Sequence, residues 1–191
     1  FPEIPALTTA VDHALADMTG IDANLRGDYR DLKGYQAYFW RTAQARDKTY
    51  LKADLKGVVG DVISVELITE QMVTGAAHPV PATRYLLWQR STGHEITLAD
   101  LLVPGRHDQY VEALRAAYER WLATNPGYVH DPAAYHKLWP FVPSDNVALT
   151  RQGLVVKYDS YTIAPHSDGQ PEITLGLDAL NGILRPEFMP K

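Results

Sequence analysis

With 191 residues, 46% of them hydrophobic and 21% charged, the chain has the make-up of one ordinary globular domain and not of a disordered segment. A net charge of −5 without any basic run excludes a nucleic-acid binder, which needs a cationic face for phosphate. The lack of cysteine excludes a disulfide framework, a thiolate metal site and a cysteine nucleophile, and no apolar run approaches the roughly 20 residues of a membrane-spanning helix.

In chain order, Pro5 opens a helix in which Leu7, Val11, Leu15 and Met18 share a face and Gly20 supplies the stop. The aromatic-rich stretch 34–47 reads as irregular or as a short helix. Residues 49–72 alternate in two runs about a Gly-Val-Val-Gly-Asp turn, the pattern of a β-hairpin. Leu51, Ala53 and Leu55 point one way in its first arm, and Ile63, Val65 and Leu67 do so in its second. Small residues then lead to His78 and Pro79 before strand-like sequence resumes. A second hairpin follows over 82–98, turning at Ser91-Thr92-Gly93. One helical turn precedes the break at Pro104-Gly105.

The clearest helix begins near Arg106. Tyr110, Leu114, Ala117 and Trp121 lie on one side, and Asn125-Pro126-Gly127 ends it. A short helix is predicted from Pro132 to Leu138, and a third hairpin turns at Arg151-Gln152-Gly153. After a loop, a strand and a short helix complete the chain. These elements predict an α+β domain: an antiparallel sheet of several hairpins with helices packed on one face. The domain spans 1–191, with a helix over 1–20 leading into a core over 48–191.

Catalytic signatures are missing. The closest pair among the seven histidines, His130 and His136, is six apart, which puts no two ligands on one helical face. The Asp-Gly-Gln-Pro-Glu run lacks the carboxylate ladder of a calcium loop. There is no G-x-S-x-G elbow and no phosphate loop, so neither metal nor cofactor nor enzyme activity is expected. Eleven tyrosines and four tryptophans are many for this length. They gather as Tyr35, Tyr38, Phe39 and Trp40, as Tyr135, Trp139 and Phe141, and as Tyr158 and Tyr161. Core packing with the hydroxyl at the edge explains most such residues; a contact surface, stiffened by Pro140 and Pro143, is the functional reading. Gly75, Ala76 and Ala77 leave room for a close backbone approach beside His78. The plain reading of that imidazole is a hydrogen bond to a neighbouring loop carbonyl; the functional one is a group at the rim of a groove.

Four stretches in order, Thr74 to Pro79, Thr92 to Leu102, Leu149 to Gly169 and Glu172 to Leu184, resemble the RsiV-like C-terminal domain. That domain forms the extracytoplasmic part of RsiV anti-sigma factors and occurs in PdaC-type peptidoglycan deacetylases. The N-terminal stretch looks like the helix that precedes it there. The family pattern has two glycines before the histidine, and a second aromatic after the proline where His166 follows Pro165 here. Since RsiV binds lysozyme, the resemblance implies binding rather than catalysis. The expected partner is a lysozyme-like muramidase or another cell-wall hydrolase.

The contact surface implied joins the His78 loop to the loop from Tyr161 to Gly169. His78 is a hydrogen-bonding rim group, Tyr161 an anchor beside Pro165, and His166 with Ser167, Asp168 and Gly169 a polar tip. Tyr135 and Trp139 form a neighbouring patch. A peptidoglycan-binding module is the alternative, followed by a hydrolase or deacetylase whose site assembles only in three dimensions. A monomer in the periplasm or otherwise outside the cytoplasm is expected. The chain starts at Phe1 without Met, which leaves a lipoprotein signal or longer leader to a preceding piece.

Overall fold

The computed structural model describes residue 1, residues 3–20 and residues 27–190. Helix α1 (Pro5–Asp17) carries Pro in its first turn and buries Leu7, Val11 and Leu15 at four-residue spacing. That stripe lies on a four-stranded antiparallel sheet of β1 (Lys48–Val59), β2 (Val62–Met72), β3 (Val80–Gln89) and β4 (His94–Ile96), in sequence order. Ile63, Val65 and Leu67 of β2 meet Leu86 and Trp88 of β3 beneath the helix. The register pairs Ile63 with Trp88 and Val65 with Leu86, so both strands present the same parity to α1.

Helix α2 (Leu32–Thr42) turns the aromatic-rich stretch into eleven regular residues. Asp31 caps it by accepting from the Gly34 amide at 2.7 Å. Tyr35 is buried, with its hydroxyl 2.7 Å from Thr49 Oγ1 and 2.9 Å from Gln71 Oε1. Those partners lie on β1 and β2, so tertiary contacts hold the helix in place.

The remaining strands, β5 (Val147–Thr150), β6 (Gly153–Lys157) and β7 (Glu172–Gly176), form a second antiparallel sheet. It sits on the face of the first sheet that α1 leaves open. Ser64 Oγ donates to the Leu149 carbonyl and accepts from the Leu149 amide, both at 2.9 Å. Gly57 permits β1 to come this close, since a Cβ there would stand 2.9 Å from the same carbonyl oxygen. On the outer side, Leu149, Leu154, Val156, Ile173 and Leu175 pack against α4 (His107–Leu122), which buries Tyr110, Leu114, Ala117, Tyr118 and Leu122. Helix α3 (Leu98–Leu101) carries a capping box made by Thr97 and Asp100. The α+β class and the hairpins follow the sequence reading. The hairpins divide between two sheets, and helices cover the outer face of each.

Between the sheets runs a chain of ion pairs. Lys157 contacts Glu66, and Lys56 Nζ lies 2.8 Å from Glu172 Oε1. The Tyr85 hydroxyl donates to Glu172 Oε1 at 3.2 Å. Burial favours the neutral form of Glu172, but the two lysine ammoniums outweigh it and hold the carboxyl below its ordinary value. Among the described residues no helix is long and apolar enough to cross a membrane.

Candidate functional site

Beyond β6 the chain makes a loop with a closed neck. The Tyr158 amide donates to the Pro171 carbonyl at 3.0 Å, and Ser160 Oγ to the Gly169 carbonyl at 2.9 Å. Asp159 Oδ1 accepts from Gln170 Nε2 at 3.2 Å and from the Thr83 amide at 2.8 Å, tying the neck to β3. Ile163 and Ala164 are fully buried and pin the loop's middle. Pro165 then starts a 3₁₀ turn over His166–Asp168, which Gly169 ends at φ +71°.

Tyr161 stands at φ +69°, the left-handed region, and among the described residues no other non-glycine has a positive φ. That conformation costs an L-residue about 1–2 kcal/mol. Yet the side chain is 53% exposed, so burial of the ring does not repay the cost. The closed neck and the buried Ile163-Ala164 pair hold the backbone there, and the ring stays in solvent. Strain kept in this way is a mark of functional positions.

Around Tyr161 the rings converge. His78 lies 6.3 Å from it, His166 5.5 Å and Trp139 6.2 Å, centroid to centroid, while His78 and His166 are 4.9 Å apart. Both imidazoles are exposed. His78 Nδ1 donates to the Pro79 carbonyl at 3.0 Å, which leaves Nε2 of the neutral ring as an acceptor. The plain reading of His78 holds, since it bonds a loop carbonyl, and its ring also stands in this cluster. Gly75 serves the loop through φ +96° and not through a close approach, since a Cβ there would meet nothing within 4 Å. Trp139 is half-buried at the end of α6 (Pro132–Leu138), where its carbonyl accepts from the Tyr118 hydroxyl at 2.9 Å.

The other expected site residues support this patch from within. Tyr135 is buried, with its hydroxyl turned to Asn125 and the Ile163 carbonyl, and burial pushes its phenol up to about 12. It lies under the surface and does not extend it. Asp168 is exposed, but its carboxylate is engaged: Oδ2 accepts from Asn125 Nδ2 at 2.7 Å and Oδ1 from the Ser167 hydroxyl at 3.1 Å. Pro165, Ser167, Asp168 and Gly169 therefore shape the loop, while His166 alone of the expected polar tip joins the ring array.

Asn125 is the residue that sequence reasoning missed. It is 7% exposed, and its Oδ1 caps α5 (Pro126–His130) by accepting from the Gly127 and Tyr128 amides. One amide group thus locks α5 to the 159–171 loop. Its only signal is the Asn-Pro-Gly run, which also reads as a helix stop. Among the described residues no three His, Asp or Glu side chains converge as metal ligands would. The patch offers stacking faces and imidazole hydrogen bonds, which suit recognition.

The family model DUF3298, described as a protein of unknown function, matches residues 99–178. No curated protein matches the chain. The crystal structure of a DUF3298 family protein from Pseudomonas aeruginosa PAO1 is 31% identical, covers 100% of this chain and 84% of its own, and superposes with a TM-score of 0.88. A DUF3298 member from Bacteroides fragilis NCTC 9343 is 16% identical over 95% of this chain and 77% of its own, with a TM-score of 0.66, a likeness of fold. Identity at that level along the whole chain means that the protein belongs to the DUF3298 family.

Proposed function

We propose that the protein is a non-catalytic binding domain, working outside the cytoplasm, whose ring patch recognises a lysozyme-like muramidase or related cell-wall hydrolase. The observation that carries this reading is Tyr161: a strained backbone on a braced loop holds its ring in solvent among His78, His166 and Trp139. A pre-ordered aromatic of this kind gives up little entropy on binding and makes an efficient anchor. His78 Nε2 adds an acceptor at its side. DUF3298 is the domain type of RsiV-like C-terminal regions, which supports a hydrolase as partner. A net charge of −5 would steer a cationic lysozyme toward the domain.

Titration calorimetry against chicken-type lysozyme, with a muramidase assay alongside, tests the proposal. Binding should weaken about thirtyfold or more in Tyr161→Ala, the loss of a hot-spot anchor worth about 2 kcal/mol. Loss of lysis in the complex would mark an inhibitor, and retained lysis a sensor. Absence of binding across several lysozyme classes would defeat the reading. One observation favours a second reading, direct capture of peptidoglycan glycan. The Trp139 and Tyr161 rings are inclined by only 32°, a platform on which sugar rings can stack. Saturable pull-down on purified sacculi, with no enzyme present, would support it.

A further inference from the structure

We infer that the outer edge of β1, beside α2, is a second docking surface, which takes an extended peptide of alternating apolar and acidic side chains as an added strand. Among the described residues, strand β1 is outermost in its sheet and pairs with β2 alone. Towards its far end, the face of β1 is covered by β5, which closes in at Gly57. Residues 48–54 have no strand on that side among the described residues.

Helix α2 runs alongside this bare half without filling the space next to it. A groove of about 1030 Å³ remains, walled by Leu32, Tyr35, Phe39 and Trp40 on the helix and by Thr49 and Leu51 on the strand. Trp40 is 74% exposed there. An added strand would find main-chain partners along β1 and an apolar wall for every second side chain, the two requirements of recognition by strand addition.

Charge selects the occupant. In a chain of net charge −5, Lys33 and Lys48 line this groove and Arg46 stands beside Lys48 just beyond it, and none of the three forms an ion pair among the described residues. Of the nearby carboxylates, Glu70 stands beside Arg46 and Lys48, and the others are engaged. Asp47 accepts from the Gln44 amide at 2.9 Å and the Thr74 amide at 2.6 Å, Asp54 lies 2.5 Å from Lys52, and Asp31 caps α2. The rim is therefore cationic on an acidic protein. Lysines on a sheet edge discourage pairing with neutral or basic strands, and here they admit an acidic one. The ring patch, read as a site for a cationic enzyme, calls for the opposite charge, so the two surfaces serve different partners and this inference stands without that reading.

An acetylated peptide alternating Glu and Val is the probe, and a Lys/Val peptide of the same length is the control. With the Glu/Val peptide, amide exchange over residues 48–54 should slow, and Trp40 fluorescence should shift to shorter wavelength. The Lys/Val peptide should bind at least about tenfold more weakly, as should the Glu/Val peptide to the double variant R46E/K48E, a difference of about 1.4 kcal/mol. Tyr161→Ala should change neither result. Failure of the Glu/Val peptide to bind, equal binding of the two peptides, or protection confined to residues outside β1 and α2 would overturn the inference.

Discussion

Replacing Asn125 by Asp changes one atom of the bridge between α5 and the 159–171 loop. The carboxylate keeps the acceptor that caps α5 through the Gly127 and Tyr128 amides. What disappears is the donor, because Nδ2 now meets Asp168 Oδ2 at 2.7 Å and two carboxylates would face each other instead. A hydrogen bond to a charged group contributes about 1.5–3 kcal/mol. Two like charges about 4 Å apart add about 1 kcal/mol where water screens them, and more where it does not. Together this is about 3 kcal/mol against the ordered loop, roughly a hundredfold in its opening equilibrium. Amide exchange of residues 159–170 in Asn125→Asp should therefore accelerate by about that factor, provided global unfolding in urea stays slower than loop opening. Adding Asp168→Asn in the same chain reverses donor and acceptor and should restore most of the protection. Unchanged exchange in the single variant, or no rescue in the double, would refute the bridge.

Other consequences concern strain and charge. Tyr161→Asn places a residue that tolerates the left-handed region at φ +69°, so thermal stability should hold or rise by up to about 1 kcal/mol while lysozyme affinity falls. A drop in both together would mean that the ring serves the fold. Glu172 has a folded-state pKa below its unfolded value, so its contribution is complete above about pH 4.3 and fades as pH falls through the folded value. Urea midpoints at pH 7 and pH 3.5 should show Glu172→Gln weaker than the parent at neutral pH and less sensitive to acid; parallel losses would contradict this. Burial pushes the Tyr118 and Tyr135 phenols up to about 12 and raises Tyr85, Tyr110 and Tyr158 as well. Their stabilisation is present below about pH 10 and lost as pH rises through the folded values. Tyrosinate absorbance should thus show a late phase that coincides with unfolding, whereas complete ionisation by pH 11 in the folded protein would be inconsistent.

The parts legible in the sequence are those fixed by local periodicity. Leu7, Val11 and Leu15 define α1, the alternating runs define β1 and β2, and Pro132 with its cap marks the start of α6. Helix α2 is one of two readings the sequence leaves open, because its stability comes from Tyr35 reaching Thr49 and Gln71, contacts that no local pattern records. The division into two sheets rests on Ser64 and Leu149, 85 residues apart. Aromatic spacing and family resemblance indicated His78, Tyr161, His166 and Trp139. Their convergence depends on two loops whose relative position is set by Asp159 holding the Thr83 amide. Tyr135 was misplaced because a helix of seven residues with apolar groups on several sides does not reveal its buried face. Asp168 sits in a polar loop sequence that reads as solvated, and only Asn125, 43 residues away, shows its carboxylate to be engaged.

Nitrogen–proton correlation spectra of the side-chain rings during titration with chicken-type lysozyme test the central claim most directly. The account predicts saturable shifts in the His78 and His166 imidazoles and the Trp139 indole, with the Trp40 indole unmoved, and loss of those shifts in Tyr161→Ala. Shifts confined to other faces, or none at lysozyme concentrations that saturate other binders of that enzyme, would contradict the ring patch as its recognition surface.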